Sequence, residues 1–169
     1  MSMNCKGLQD RQKRNDVFNW LRQKHADIYI LQETHSDKDN FQDWRNEWGH
    51  NCFFSSHQTN SRGVAILFNS TFSFQLHRDI IDNRGRYIIL DLSIYSNRFS
   101  LVGIYAPNED CPQFFKDIET QLEILGNDNI LIGGDWNVVQ DYTLDTLNYK
   151  QKITRMQKPK SKRHRYLLI

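Results

Sequence analysis

Ile130-Leu131-Ile132-Gly133-Gly134-Asp135-Trp136-Asn137 joins a short apolar run to two glycines, then to an acid and an amide two residues apart. Residues i and i+2 of an extended chain point to the same face, so Asp135 and Asn137 aim together at a substrate or a metal-bound water. A second apolar run, Ile28-Tyr29-Ile30-Leu31-Gln32-Glu33, also ends in a carboxylate. Two buried-looking strands that both finish in acids suggest a phosphate- and metal-handling site at one rim of a sheet. Taken alone, Gly-Asp-x-Asn is also an ordinary turn, and Gln32-Glu33-Thr34 serves equally well as a helix-capping segment.

Around these runs, 169 residues make one domain by size, long enough to bury a real core. An apolar fraction of 38% and an aromatic fraction of 12% suit a globular chain rather than a disordered one. The longest apolar runs are too short to cross a bilayer and no signal-peptide core opens the chain, so an intracellular protein is expected, nuclear or cytoplasmic, with no membrane partner. Cys5, Cys52 and Cys111 are odd in number and widely spaced, which argues for reduced thiols and against a disulfide framework or zinc ribbon. Charge is uneven. Lys150 onward holds eight of the 22 Lys and Arg and none of the 20 Asp and Glu, an acidic body followed by a basic end. Such an end holds a polyanion by releasing counterions, or is simply a solvated tail.

Periodicity predicts a mixed α/β chain. Met3 and Asn4 form the stub of a first strand, and a helix over about 11–24 presents Val17, Trp20, Leu21 and Lys24 on one side. The strand ending at Glu33 follows at once. Ser36 or Asp37 caps a second helix with Phe41, Trp44 and Trp48 on one face, a core face by its composition. Five strands are then predicted over 52–55, 63–68, 72–81, 86–95 and 98–105, with Ser96-Asn97 as a tight hairpin turn. Pro112 opens a helix lined by Phe115, Ile118, Leu122 and Leu125, and Gly126-Asn127 closes it before the strand that delivers Asp135. Beyond Val139 the strong periodic signals stop.

Asn4, Glu33, Tyr105 with Asn108, and Asp135 with Asn137 all stand where an apolar run ends. Phosphodiester hydrolysis needs a divalent cation held by oxygen ligands, a group to deprotonate a water, and neutral donors for the phosphoryl oxygens. Carboxylates, carboxamides and a phenol supply these, although no general acid is evident among them.

Asn4-x-x-Gly7-Leu8, Asp27-Ile28 through Gln32-Glu33-Thr34, Gly63-Val64-Ala65-Ile66-Leu67, Gly85-Arg86-Tyr87, Tyr105-Ala106-Pro107-Asn108 and Gly134-Asp135-Trp136-Asn137 follow one another in order. Together they resemble the endonuclease/exonuclease/phosphatase superfamily, and most of all the apurinic-type endonuclease domain of non-LTR (LINE-type) retrotransposons. The resemblance spans roughly residues 3–145. It implies a DNase I-like, four-layered α/β sandwich with the site at one edge, DNA as partner, and Mg²⁺ as cofactor, with Mn²⁺ an alternative. By the same resemblance Glu33 is the metal ligand with Asn4 beside it, Asp135 activates the attacking water, and Asn137 positions water and phosphate. Tyr105 and Asn108 resemble donors to the scissile phosphate. Arg84 and Arg86 lie where family members approach DNA, or are surface charges flanking a turn. Asp145 is a weaker match, near a position after Asp-x-Asn, and is grouped with the DNA contacts. Phosphatase and sphingomyelinase branches share the fold, but the Gln-Glu-Thr and Tyr-Ala-Pro-Asn contexts favour the nuclease branch.

One departure is plain. The family ends in a Ser-Asp-His motif whose histidine contacts the phosphate, and no such triplet occurs here. His164 stands among Lys162, Arg163 and Arg165, where neighbouring cations disfavour its protonated form, and His25, His35, His50, His57 and His77 have no Ser-Asp-His context. The expectation is therefore a truncated domain over 1–149 with an incomplete second sheet, marginal stability and a monomeric state, followed by a disordered basic tail over 150–169. Leu167-Leu168-Ile169 is either a remnant strand or an out-of-frame end. The expected function is Mg²⁺-dependent DNA nicking, weak or absent in this chain. The alternatives are a non-catalytic remnant that binds nucleic acid through the basic tail, and a decaying retroelement fragment without stable function.

Overall fold

A computed structural model of the chain describes residues 1–57 and 60–137, together with the backbone of 165–168. The elements run β1 (Ser2–Asn4), α1 (Arg11–Gln23), β2 (Ile28–Gln32), a 3-10 turn (Lys38–Asn40), α2 (Phe41–Trp48), β3 (Cys52–Ser55), β4 (Val64–Phe68), β5 (Gln75–Ile81), β6 (Tyr87–Ile94), β7 (Asn97–Tyr105), α3 (Pro112–Leu125), β8 (Asn129–Asp135) and β9 (Arg165–Leu168). Among the described residues the strands make two sheets, β1-β2-β4-β3 and β5-β6-β7-β8-β9. β1 runs parallel to β2, and β7, β8 and β9 run parallel to one another, while the remaining pairs are antiparallel.

Alternation along the strands builds the layers. On β7, Leu101 and Tyr105 face the first sheet and join Ile30, Val64, Ile66 and Leu90 between the sheets, whereas Val102, Ile104 and Ala106 face α3 with Phe114, Ile118 and Leu122. The outer face of the first sheet carries Tyr29 and Leu31 against Phe18, Leu21, Trp44 and Trp48 of α1 and α2. The result is helix, sheet, sheet, helix: the expected four-layered sandwich. A Cβ on Gly103 would meet Ile30 Cγ2 at 3.0 Å and Ile66 Cδ1 at 3.2 Å, so a residue without a side chain lets the sheets approach at the centre of the seam.

Several local expectations shift by a residue or by a turn. The buried face of α1 is Arg14, Phe18 and Leu21, not the Val17–Trp20 side, and Trp20 is exposed with the Lys24 ammonium 4.6 Å from its ring centroid. Phe18 wins because it stands edge-on to Trp48, centroids 5.4 Å apart, and to Trp44. Asp37, not Ser36, caps the 3-10 turn that leads into α2. The β6–β7 hairpin turns at Tyr95-Ser96, because Asn97 pairs with Ile94 and Tyr95 takes the positive φ of 53°. In α3, Phe114 is buried alongside Ile118 and Leu122, with Phe115 flanking. Residues 165–168 of the expected disordered tail form a strand hydrogen-bonded to β8, while the rest of the basic stretch lies outside the described residues.

Glu47 of α2 forms ion pairs with Arg11 and Arg14 of α1 in the helical layer. Arg14 donates through Nε (2.5 Å) and Nη2 (2.9 Å) to Glu47 of α2, and through Nη1 to the carbonyls of Leu8 and Gln9. Its guanidinium also lies 4.8 Å from the Trp44 ring centroid. The Arg14 hydrogen bond holds Glu47 below its ordinary value of 4.5.

Two outcomes follow from these contacts. Glu47→Gln removes a charge partner from a buried guanidinium and should lower unfolding stability at pH 7 by about 3 kcal/mol. Because the folded carboxylate titrates below 4.5, this contribution is present above that value and is lost as pH falls through the folded one. Urea midpoints of wild type and variant should therefore converge as pH is lowered below 4.5, and a gap independent of pH would contradict this. Gly134→Ala places a Cβ 2.0 Å from the Ile104 carbonyl oxygen at a φ of 145°. It should part β8 from β7 and cost roughly 1–3 kcal/mol or more in the same urea titration, and an unchanged midpoint would show that the strands adapt.

Candidate active site

Four strands end at one rim. The C-termini of β1 and β2 in the first sheet meet those of β7 and β8 in the second, and polar side chains close the seam between them. Tyr105 Oη donates to Glu33 Oε1 at 2.9 Å, and Asn4 Nδ2 donates to Asp135 Oδ2 at 3.3 Å. Parallel pairing sets Tyr105 beside Asp135. Asn4 is itself oriented by the Lys6 amide, which donates to its Oδ1 at 3.0 Å.

Reaching across the seam demands unusual backbone. Tyr29 and Leu31 point to the helical layer, and strict alternation would send Glu33 the same way. Instead Glu33 takes φ 50°, which re-aims its carboxylate toward the second sheet. A left-handed conformation costs a non-glycine residue about 1–3 kcal/mol and persists only where the surroundings over-determine it. They do so here: the Glu33 carbonyl accepts from the Gly7 amide (2.7 Å), Thr34 N–H donates to the Gly63 carbonyl (3.2 Å), and His35 N–H donates to the Arg62 carbonyl (2.8 Å). Lys6, His35, Arg62 and Asn137 near the same rim also have positive φ. Gln32-Glu33-Thr34 is thus a strand end, with no capping role.

Asp135 and Asn137 are held as a unit. The Asn137 amide donates to Asp135 Oδ1 at 3.1 Å, and Asn137 Nδ2 donates to the Ala106 carbonyl at 2.7 Å. The Ala106 amide returns the link, donating to the Asp135 carbonyl at 2.8 Å. Trp136 points the other way and stacks on Phe115 of α3, centroids 6.1 Å apart. Asn108 is exposed on the loop after β7, at the mouth of the groove.

The electrostatics follow from these bonds. The Asn4 carboxamide is the largest influence holding Glu33 below the ordinary 4.5, with Tyr105 adding to it against partial burial, so the carboxylate is ionised at neutral pH. Burial and the neighbouring Glu33 charge push Tyr105 up to about 12, so it stays a protonated phenol and serves as a donor. Glu33, Asn4 and Asp135 offer hard oxygen donors from one or two carboxylates and a carboxamide. That donor set fits Mg²⁺, which retains several waters and needs few protein ligands. It does not resemble a dedicated cage: no group of three or more His, Cys, Asp or Glu stands together among the described residues.

Glu33, Tyr105 and Asn108 open onto a groove of about 670 Å³. Arg62, Arg84 and Arg86 line it on the loops before β4 and β6, and Glu109 and Asp117 line it near α3. Arg84 is exposed, whereas Arg86 is half-buried beneath Tyr105. Among the groove residues that sequence reasoning did not single out are His35 and Arg62. Both sit in loops directly after a strand end or before the next strand, and that position was the only sequence signal for them. Asp145 lies outside the described residues. No helix among the described residues is long and apolar enough to cross a membrane.

The chain resembles known proteins in sequence and in fold. It is 29% identical over 147 residues to the "Transposon TX1 uncharacterized 149 kDa protein" of Xenopus laevis, an alignment that covers 85% of this chain and 11% of that protein. The solved catalytic domain of Xenopus laevis APE2 superposes with a TM-score of 0.64 at 20% identity, covering 89% of this chain and 61% of that one. The endonuclease domain of TRAS1, a telomere-specific non-LTR retrotransposon, gives a TM-score of 0.54 at 13% identity over 82% of this chain and 58% of that one. The chain thus spans about a tenth of its transposon relative and about three fifths of these solved domains. The model of the Endonuclease/Exonuclease/phosphatase family matches residues 1–148, so the chain belongs to that family.

Proposed function

We propose that this domain is a Mg²⁺-dependent phosphodiesterase of the DNA-nicking type, derived from a retrotransposon. The observation that carries the reading is the pair of hydrogen bonds across the seam, Tyr105 to Glu33 and Asn4 to Asp135. They hold an ionised carboxylate suited to a cation and a second carboxylate suited to a water at one rim, where Glu33 opens onto the groove and Asp135 stands beside it across the seam. The family and its nuclease members support the reaction class. DNA as substrate is inferred from the arginines lining the groove and from the relatives named above.

In this reading Glu33, with Asn4 beside it, holds the cation. When bound, the cation neutralises charge developing on the phosphoryl group. Asp135, fixed by Asn4 and by the Asn137 amide, takes a proton from a water as that water's oxygen bonds to phosphorus. The phosphorus–oxygen bond on the far side breaks and the leaving oxygen is protonated from solvent. Asn137 has one amide hydrogen committed to Ala106 and a second with which to orient the phosphoryl oxygens. Tyr105 keeps the Glu33 carboxylate in place, and exposed Asn108 and Arg84 meet the substrate at the groove mouth. The family's phosphate-facing histidine has no Ser-Asp-His counterpart in the 169 residues, so turnover by this chain alone is slow.

Plasmid nicking tests the assignment. Slow, Mg²⁺-dependent relaxation of supercoiled DNA is expected, abolished by chelation and reduced at least ~100-fold in Glu33→Gln and in Asp135→Asn. Nicking that survives both substitutions would refute the assigned roles, and rapid nicking would refute the slow turnover. Because Glu33 is held below 4.5, the acid limb of the rate profile should fall below that pH, and Asn4→Ala should move the limb upward. A limb unmoved by Asn4→Ala would remove Asn4 from the site.

A further inference from the structure

Arg86 lines the groove, yet its bonding is turned inward. Its Nη1 donates to the carbonyls of both Tyr105 (3.3 Å) and Ala106 (3.1 Å), and its guanidinium carbon lies 5.0 Å from the Tyr105 ring centroid. Its backbone is fixed on both sides: the amide donates to Asp82 Oδ2 at 3.0 Å, and the carbonyl accepts from the Tyr105 amide at 2.7 Å. We propose that Arg86 is a positioning residue, bracing the Tyr105–Ala106 backbone so that Glu33 on one side and Asn137 on the other are held in register. This rests on the phosphodiesterase reading and departs from the assignment of Arg86 to DNA.

The Ala106 peptide is the junction. Its carbonyl accepts from both Arg86 Nη1 and Asn137 Nδ2, which fills both lone pairs, and its amide donates to the Asp135 carbonyl. Ala106 is fully buried, so water cannot replace a lost donor there without opening the layer. Through Tyr105 the same guanidinium supports the ring whose hydroxyl orients Glu33. One side chain therefore touches the supports of the carboxylate for the cation and of the amide for the phosphate. A planar guanidinium can bond two carbonyls while lying against a ring. A lysine ammonium, a point charge on a flexible stem, cannot keep all three contacts. Arg84, two residues earlier and exposed, provides the contrast of a side chain free to meet phosphate.

Arg86→Lys and Arg84→Ala in the full chain separate the two roles, with Arg86→Gln repeating the test if the lysine variant does not fold. Proton–nitrogen NMR of the Ala106 amide and the Asn137 carboxamide reads the brace without any need for activity. Those signals should shift in Arg86→Lys and stay in Arg84→Ala. Binding of a short DNA duplex with Ca²⁺ in place of Mg²⁺, measured against salt, should keep its slope in Arg86→Lys and become shallower by about 0.9 in Arg84→Ala. Where nicking is measurable, Arg86→Lys should lower kcat about 10–100-fold with KM little changed. Unmoved Asn137 and Ala106 signals overturn the proposal, as does a salt slope made shallower by Arg86→Lys. A chain that binds no duplex refutes the nuclease reading instead, and the NMR shifts still decide the brace.

Discussion

Tyr105, on the second sheet, donates a 2.9 Å hydrogen bond to Glu33, on the first, and this bond depends on how closely the two sheets approach. The approach is set deeper in the seam, where Gly103 presents no side chain to Ile30 and Ile66. Once the sheets are that close, the parallel pairs β1·β2 and β7·β8 bring their C-terminal ends to a common rim. A carboxylate from each sheet then lies within reach of a donor from the other. The polar groups are partly shielded from water, so each must be paired, and the pairing orients them.

The strain at the rim belongs to the same design. Glu33 leaves the alternation of β2 through a left-handed backbone, and amide–carbonyl bonds from Gly7, Gly63 and Arg62 hold that loop. Asn137 does the same at the end of β8, where a carboxamide tolerates the conformation more readily than a glutamate. The strand that carries Glu33 is held on its outer face by the aromatic cluster of Phe18, Tyr29, Trp44 and Trp48, and the strand that precedes Asn137 packs through Ile130 and Ile132 against α3. Rigid strands with strained ends are a general way to point reactive groups at a substrate without loop motion.

Much of this was legible in the residues. Apolar runs that stop at Glu33 and Asp135 announced the strands whose ends meet at the rim, and Pro112 with Gly126 bounded α3 because each residue suits only one end of a helix. What escaped were features decided by three-dimensional packing. Periodicity allowed two adjacent faces for α1, and only the edge-on contacts of Phe18 with the α2 tryptophans choose between them. Tyr95 entered the hairpin turn because the ladder pairs Ile94 with Asn97, a register that composition does not reveal. The part of Arg86 was hidden for a similar reason. A cation beside a turn looks like a surface charge until its carbonyl partners, 19 and 20 residues away, are seen.

The central claim is that one cation site is formed where Glu33 and Asn4 meet Asp135 across the seam. Paramagnetic broadening by Mn²⁺ tests it most directly, read by NMR on the amides of the described residues. Sub-stoichiometric Mn²⁺ should broaden Asn4, Glu33, Tyr105 and Asp135 first, and Glu33→Gln should abolish that pattern while leaving the fold intact. Broadening centred elsewhere, or unchanged in Glu33→Gln, would contradict the account.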